Sequence, residues 1–418
     1  MTGRLKAYSL AVLLLLPLVL SGQTVYREVP ELDFAHFQQN HITIMEDSAA
    51  FLKVFRKMDS LVLYGEGSLR IMHIGGSHVQ AGTFTRQLRN NLLSLGDSLD
   101  GGRGLVFPFT AAKTNTPSSY RSRYEGEWTV ARNVQREPAK RLGLTGMAVS
   151  SSDSTASVRI VLKARNPGPL DKEFKFNKVD VLGYSSGDRE PLVLLPSGDS
   201  LKGHRVEEAS IWTFVLPEMQ DSVTVAVGRG TGELTITGIY LDNPKPGITV
   251  NEVGVNGAAL TSYAKCQDLA RDLRMVRPDL VIFAIGINDA SGPDFSAEDF
   301  VNRYASLVAQ VRSVNPDCAM LFVTNNDNWR RVRRRVYAPN KNTPVVQEAF
   351  FRIAGECGGA VWDFFDIMGG MESMKDWQEA GLAKRDKIHF TEEGYSLIGD
   401  LLYDAIMAKY IEYIRRKL

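Results

Sequence analysis

The sequence predicts an α/β domain that is interrupted by a β-rich insertion. Two features lead to this fold class. Both ends of the chain alternate short apolar strands with amphipathic helices, whereas residues from about 150 to 243 alternate apolar and polar positions and carry turn residues about every 8 to 12 positions. The 418 residues are enough for two average domains or for one large domain.

The first 24 residues are predicted to be a secretory signal that is not part of the fold. Arg4 and Lys6 precede the apolar run Leu10–Leu20, and small and polar residues follow it. The run is too short to span a bilayer comfortably, because a spanning helix needs about 20 apolar residues, and Pro17 interrupts it. We therefore expect cleavage near Gly22 and an exported protein, periplasmic or secreted, with no transmembrane anchor after signal cleavage.

The first strand of the α/β domain is predicted near residue 70. Residues 48–62 have the apolar spacing of an amphipathic helix behind a Ser48 cap. The apolar run Leu69–Ile74 follows this helix and stops abruptly at Gly75. Open α/β sheets place reactive groups at strand ends of this kind.

The middle of the chain, residues 105–246, is predicted to form an inserted all-β domain. Six segments have the period-two pattern of antiparallel strands in a sandwich: SVRIVLKA, EFKFNKVDVLGY, PLVLLP, IWTFVLP, DSVTVAVG and ELTITGIYL. Trp128 and Trp212 fall in this region. The core of the sandwich is their default position, and a sugar-stacking platform is the functional alternative.

Residues 247–418 resume the alternation of strands and helices and complete the domain that residues 25–104 begin. Leu280–Ile285 and Ala319–Val323 are continuous apolar runs, as expected for buried parallel strands. Ser296 is placed to cap the helix between them. The final helix is predicted from an apolar stripe of Leu397, Leu401, Ala405 and Ile406.

The charge balance excludes some classes of function. The chain has 49 Lys and Arg against 48 Asp and Glu, so it lacks the basic field by which nucleic-acid-binding proteins are recognised. We expect no nucleic-acid partner. The 3 cysteines do not have zinc-ligand spacing, and no HExxH, phosphate-loop or dinucleotide motif occurs. We therefore expect no metal and no organic cofactor.

Three short polar segments, Gly75–His78, Gly286–Asp289 and Asp386–His389, lie where predicted strands end or where the last helix begins. Each segment alone has an ordinary explanation as a plain turn, a loop with an Asn cap or a surface bend. Together they bring a hydroxyl, a carboxamide, a carboxylate and an imidazole to the carboxyl edge of one parallel sheet. This edge is the usual position of a ligand crevice.

A serine hydroxyl attacks a carbonyl when a base removes its proton and a third group orients that base. Ser77, His389 and Asp386 can supply these parts, because Asp386 precedes His389 within one turn of chain. The oxyanion that forms needs hydrogen-bond donors. The backbone N–H of Ser77, a glycine N–H and the side-chain amide of Asn288 are available for this purpose.

The order of these motifs resembles the SGNH (GDSL-type) hydrolase superfamily. Four segments are similar to an exported branch that includes peptidoglycan and polysaccharide O-acetylesterases: HIGGSHVQAG (His73–Gly82), DGGRGLVFP (Asp100–Pro108), EVGVNGA (Glu252–Ala258) and IMGGMESM (Ile367–Met374). The resemblance covers most of residues 65–410 and is weakest across the insertion. It implies a three-layer, flavodoxin-like sheet with an inserted, carbohydrate-module-like sandwich.

Position by position, the resemblance implies that Ser77 is the nucleophile, His389 the base and Asp386 the residue that orients the base. It also implies that Gly257 and Asn288 donate to the oxyanion together with the Ser77 N–H. The activity that it implies is that of an exported serine esterase, which removes O-acetyl groups from peptidoglycan or another glycan through an acyl-enzyme on Ser77. An O-acyltransferase with the same triad and a non-catalytic glycan-binding protein are the alternatives.

Some residues near these motifs have more than one interpretation. Gly254 lies in the same block as Gly257 and is the alternative oxyanion donor. The family's first block usually reads GDS, and Gly76 stands in place of that aspartate, which is expected to loosen the loop that aims the nucleophile. His78 is expected to give a supporting hydrogen bond. The basic run Trp329–Arg335 is either a solvated loop or a contact for carboxylates of an anionic glycan.

Overall fold

The computed structural model describes residues 25–45, 49–96, 99–334 and 336–417. The predicted signal, residues 1–24, and the Ser48 cap lie outside these residues. None of the helices in these ranges combines the length and the apolar character that crossing a membrane requires.

Six strands form a central sheet. Their order across the sheet is Ile42–Ile44, Ala360–Trp362, Ala319–Val323, Leu280–Ala284, Ser68–Gly75 and Gly247–Gly254. Neighbouring strands are parallel except at the edge, where Ile42–Ile44 runs antiparallel to Ala360–Trp362. The parallel strands have the 2-1-3-4-5 order of flavodoxin-like folds. This confirms the predicted α/β domain, whose first parallel strand contains residue 70.

Helices cover both faces of the central sheet. His73 packs edge-on against Phe84 of one helix, with ring centroids 4.8 Å apart. Phe283 packs against Tyr304 of another helix at 5.6 Å. His73 pairs with Ile282, the residue before Phe283, and successive strand residues point to opposite faces. The two helices therefore lie on opposite sides of the sheet, which is the middle of three layers.

The described residues form ten α-helices: Ala49–Tyr64, Ser77–Ala81, Thr83–Leu93, Leu260–Tyr263, Leu269–Val276, Ala297–Val314, Thr343–Cys357, Phe364–Ile367, Met374–Glu379 and Glu392–Arg415. Short 3-10 helices are Phe37–Gln39, Glu207–Ala209 and Asp289–Ser291. The predicted cap is confirmed, because the Ser296 hydroxyl accepts a hydrogen bond from the Asp299 N–H at 3.2 Å. The last helix buries its predicted apolar stripe against the rest of the domain.

Two antiparallel sheets occupy the middle of the chain. The larger sheet contains His204–Val206, Ile211–Gln220, Phe176–Ser185, Leu234–Asp242, Met147–Ser151 and Thr129–Arg132 in this order, with Gly104–Val106 paired to Leu234–Asp242. The smaller sheet contains Ser200–Lys202, Pro191–Leu194, Ser222–Val227, Ser157–Val161 and Arg121–Glu125. All six segments that were predicted as strands from their period-two pattern form strands.

Trp128 and Trp212 are both core residues of this region. Their exposed fractions are only 7% and 1%. The core position is therefore confirmed for both side chains, and the alternative of a sugar-stacking platform is wrong, because neither ring offers a face to a ligand.

The insertion is joined to the α/β domain by buried polar contacts. The Leu105 N–H donates to the side-chain oxygen of Asn251 at 2.8 Å, and the Leu144 N–H donates to Asp272 at 2.9 Å. The strand Gly104–Val106 crosses the expected boundary between residues 104 and 105. The division into domains stays a prediction.

Ile282→Ala is expected to lower the free energy of unfolding by about 2–5 kcal/mol, because it opens a cavity in the central sheet, where Ile282 is 0% exposed. Val215→Ala removes apolar carbon at a strand position that is 71% exposed, and its effect is expected to stay within about 0.5 kcal/mol. Urea denaturation of both variants measures the difference. Equal destabilisation by the two changes would contradict this account of the core.

Candidate active site

Ser77 begins a short helix directly after the strand Ser68–Gly75. The turn between them needs glycine at position 75, because a Cβ there would lie 2.6 Å from the carbonyl oxygen of Ala284. The Tyr263 hydroxyl donates to the carbonyl oxygen of Gly75 at 2.7 Å. The end of this strand, and with it the position of Ser77, is therefore held tightly.

The structure brings Ser77, His389 and Asp386 together in a chain of hydrogen bonds. Ser77 Oγ lies 2.7 Å from Nε2 of His389, and Nδ1 of His389 lies 2.9 Å from Oδ2 of Asp386. An ionised carboxylate only accepts hydrogen bonds, so Nδ1 carries the proton. Nε2 is then left to accept the hydrogen bond of the Ser77 hydroxyl. This arrangement allows an imidazole to remove a proton from a serine.

Asp386 is held in its ionised form. Burial opposes ionisation of the carboxyl group, but hydrogen bonds from the His389 ring and from two backbone N–H groups outweigh it. These N–H groups belong to His389 and Ile388, and each lies 3.0 Å from Oδ1 of Asp386. The pKa of Asp386 therefore lies well below its usual range. Lys387 has a left-handed φ of 55°, which makes the tight turn between the carboxylate and the imidazole.

The predicted oxyanion donors lie on the wall of one cavity. Ser77, Gly257 and Asn288 line this cavity, whose volume is about 980 Å³. Nδ2 of Asn288 donates to the carbonyl oxygen of Ala258 at 2.9 Å. A carboxamide has a second N–H, which is available to a ligand. Gly254, the alternative donor, is instead buried within the strand Gly247–Gly254.

Gly76 occupies a position with room for a side chain. The nearest atoms to a Cβ there would be the carbonyl oxygen of Ala258 at 3.6 Å and Nδ2 of Asn288 at 3.7 Å. Its φ of −100° is open to any residue. The glycine is thus not required by packing, and the looser loop expected from the absence of the aspartate stays a prediction.

His78 makes the supporting hydrogen bond that the sequence predicts. Its Nδ1 lies 2.8 Å from the hydroxyl oxygen of Tyr395, and its ring centroid is 5.2 Å from that of His389. Burial, together with the neighbouring His389, lowers the pKa of His78 to about 3. His78 therefore remains neutral beside His389 at physiological pH.

Gln80 is a site residue that the sequence analysis missed. Its side chain is 1% exposed, and its carbonyl oxygen accepts the backbone N–H of Asn256 at 2.7 Å. Its NH₂ group donates to Thr114 Oγ1 at 3.0 Å and to the carbonyl oxygen of Asn115 at 2.9 Å. Gln80 thus joins the Ser77 helix to the loop that carries Gly257. The sequence offered one signal for this role, since Gln80 lies about one helical turn after Ser77 and so near the same site.

The insertion forms part of the cavity wall. Asn115, Thr116 and Arg165 line the cavity that contains Ser77 and His389. The hairpin of the strands Trp329–Arg333 and Val336–Pro339, named here the basic hairpin, lines another side of it. The sequence analysis predicted an inserted domain but did not predict that its residues line the cavity that contains Ser77 and His389.

The described residues offer no clear place for a metal ion. Within these ranges, no three His, Cys, Asp or Glu side chains are grouped so that they could hold one. Cys266 and Cys318 are buried, and Cys357 is half-buried. The absence of a metal and of an organic cofactor remains an expectation from the sequence.

Comparison with known families gives a match over part of the chain. Residues 221–397 match the model of the GDSL-like lipase/acylhydrolase family. The matched segment includes Gly257, Asn288, Asp386 and His389, whereas Ser77 precedes it. No curated protein matches the sequence.

Solved structures that match this chain include several esterases. A structure described as a peptidoglycan O-acetylesterase in action is 23% identical, covers 91% of this chain and 99% of that chain, and has a TM-score of 0.70. The acetyl xylan esterase AlAXEase is 17% identical over 38% of this chain and 81% of that chain, with a TM-score of 0.31. A variant of Axe2, an acetylxylan esterase from Geobacillus stearothermophilus, is 19% identical. The match covers 38% of this chain and 73% of that chain, with a TM-score of 0.29.

The fold and the family match define the class of this protein. Residues 221–397 match the GDSL-like lipase/acylhydrolase family, and the chain shares its overall fold with the structure described as a peptidoglycan O-acetylesterase. It is a carboxylic-ester hydrolase.

The neutral state of His78 can be tested by titration. Because its pKa is about 3, the ring is expected to stay neutral from pH 8 down to about pH 5. The unfolded chain takes up a proton at this position below about pH 6.5, so His78 lowers the free energy of unfolding as the pH falls through that value. NMR of ring-labelled histidines, assigned with His78→Gln, measures the titration. A His78 midpoint near the ordinary histidine value would contradict the account.

Proposed function

We propose that this protein is an exported esterase that removes O-acetyl groups from a glycan. The observation that carries the proposal is the continuous hydrogen-bond chain from Ser77 through His389 to Asp386 beside a large open cavity. An acetyl ester is small enough to reach Ser77, while the rest of the cavity has room for the sugar that bears it.

In the proposed reaction, Ser77 Oγ attacks the acetyl carbonyl carbon while Nε2 of His389 takes the hydroxyl proton. The tetrahedral intermediate collapses, the bond from carbon to the sugar oxygen breaks, and His389 returns the proton to that oxygen. Acetyl-Ser77 remains. Water then attacks the acetyl carbon with His389 again as base, the bond from that carbon to Ser77 Oγ breaks, and His389 returns the proton to Oγ while the product leaves as acetic acid, which ionises to acetate. Asp386 stabilises the imidazolium without becoming protonated itself.

The negative charge that develops on the carbonyl oxygen needs donors fixed in advance. We assign this role to the N–H groups of Ser77 and Gly257 and to the second N–H of the Asn288 amide. The bond from Asn288 to the carbonyl oxygen of Ala258 supports this assignment, because it fixes the amide plane beside Ser77. Gln80 also supports the assignment of Gly257, because it accepts the N–H of the preceding residue, Asn256, and so holds this loop in place.

A glycan is the substrate class that fits the cavity best. On the side of the cavity formed by the insertion, hydroxyl and carboxamide groups can exchange hydrogen bonds with sugar hydroxyls. These groups belong to Asn115, Thr116, Ser118 and Asn166. The similar structure described as a peptidoglycan O-acetylesterase supports acetylated glycans as the starting point for assays.

Hydrolysis is favoured over transfer of the acetyl group to a second sugar. The side chains of His389 and Asp386 are 30% and 45% exposed. Water can therefore reach the base in the free enzyme. An acyltransferase with the same triad would need water to be excluded at the second step.

We also propose the domain organisation and location that accompany this activity. Residues 25–104 and 247–418 would form the hydrolase domain, and residues 105–246 would form a sandwich of the two antiparallel sheets. The smaller sheet supports this packing, since Val223, Val225 and Val227 are buried on one face of their strand while alternate residues are not. Residues 1–24 would direct export to the periplasm or medium, where acetylated glycans occur.

Ser77→Ala is expected to lower the turnover of a small acetyl ester about a million-fold, because it removes the nucleophile from an intact triad. Its melting temperature is expected to match the wild type. Ser306→Ala is the matched control, since it removes a hydroxyl from an exposed position of the helix Ala297–Val314 that does not line the cavity. Unchanged turnover in Ser77→Ala would eliminate the serine mechanism.

Asn288→Ala is expected to lower kcat by roughly a hundred- to a thousand-fold with little change in KM, because its amide bonds most strongly to the transition state. Steady-state kinetics on an acetyl ester separate the two constants. Asn302→Ala, on the exposed side of the helix Ala297–Val314, serves as the control. A rise in KM at constant kcat would make Asn288 a substrate-positioning residue instead.

A further inference from the structure

Three cations line the cavity that contains the triad. Arg165 comes from the insertion, Arg330 from the basic hairpin, and Lys384 from the segment before Asp386. None of the ion pairs between described residues includes any of the three. Since the whole chain has a net charge of only +1, this positive wall is a local feature.

Negative charge at the cavity comes from two carboxylates. Of the described residues that line it, Glu392 is the one acid, and its carboxylate is 3.9 Å from Arg86 behind the wall. Asp386, which is ionised beside His389, adds a second negative charge, so three cations stand against two carboxylates at this cavity. Charges in a concave, partly desolvated site interact more strongly with a ligand than they do on an open surface.

The basic hairpin is fixed to the turn that carries the triad. The Trp329 N–H donates to the carbonyl oxygen of Lys387 at 3.0 Å, and Nζ of Lys387 lies 3.9 Å from the centroid of the Trp329 ring. Lys387 is the residue between Asp386 and Ile388 in the DxxH turn. The backbone next to Arg330 is thus anchored to the turn that carries Asp386 and His389.

We propose that Arg330, Lys384 and Arg165 form a basic subsite that binds an oxyanion substituent of the glycan, a carboxylate or a sulfate ester, beside the acetyl group. The guanidinium groups can bind such an oxyanion through two parallel hydrogen bonds, and the ammonium adds a point charge. This inference rests on the proposed function and narrows its substrate class from glycans in general to anionic glycans.

The first experiment compares kcat/KM on four acetylated substrates: a neutral xylo-oligosaccharide, a uronic-acid oligosaccharide, a muropeptide and a sulfated oligosaccharide. At low salt, at least one anionic substrate is expected to exceed the neutral one about tenfold, the effect of one charge-assisted hydrogen bond. The preference is expected to shrink as salt screens the site. The preferred substrate identifies the source of the oxyanion. Equal kcat/KM on neutral and anionic substrates would overturn the proposal.

The variants assign the preference to the subsite. Arg330→Gln and, separately, Lys384→Gln are expected to lower the ratio of anionic to neutral kcat/KM about tenfold. Arg334→Gln removes the same charge from an exposed position of the same hairpin that does not line the cavity, and it is expected to keep the ratio. Arg330→Lys retains the charge, and it is expected to keep part of the preference for the anionic substrate. An unchanged ratio in both Arg330→Gln and Lys384→Gln would contradict the subsite.

Binding separates this proposal from the proposed function. Calorimetry with the same four substrates and Ser77→Ala reports the subsite without turnover. Tighter binding of an anionic substrate, weakened by adding Arg330→Gln, supports the subsite even if the wild type releases no acetate. If the wild type releases acetate but anionic substrates do not bind more tightly than the neutral one, the esterase proposal stands and the subsite proposal is wrong.

Discussion

The hydrogen bond between Ser77 and His389 is the interaction on which the rest of the site depends. It joins two residues that are 312 positions apart, so it forms only when the central sheet is assembled. Ser77 follows the strand Ser68–Gly75 and Asn288 follows its neighbour Leu280–Ala284. The strand order reverses between these two strands, and in open α/β sheets a crevice opens at such a point. The sheet topology therefore fixes where the chemistry can occur.

Electrostatics then gives the neighbouring groups different states. Asp386 is held ionised by three hydrogen bonds, which favour the proton on Nδ1 of His389 and leave Nε2 to face Ser77. His78 lies beside the same imidazole but is kept neutral by burial. It can therefore support the site through Tyr395 without adding a second positive charge next to a developing imidazolium.

Local features were predictable from the sequence, and long-range features were not. The Ser296 cap and the strand end at Gly75 follow from residue types and periodicity within a few positions, whereas the strand Leu280–Ala284 ends one residue before the predicted Ile285. Ser77 and Asn288 could be placed at one sheet edge because both follow parallel strands, whereas Asp386 and His389 were assigned from their spacing and from the family resemblance. The role of Gln80 and the position of Arg165 on the cavity wall depend on contacts between the α/β domain and the insertion. No periodicity encodes such contacts, because they arise from packing between distant segments.

The central claim is that an acetyl group passes from the substrate to Ser77 before it reaches water. The most direct test is peptide mass spectrometry after rapid acid quenching of the enzyme during turnover of an acetyl ester. The account predicts an added acetyl group on the peptide that contains Ser77, and its disappearance once the substrate is consumed. Acetylation of a different residue during turnover, or rapid turnover by an enzyme whose Ser77 is blocked by a phosphonate, would contradict it.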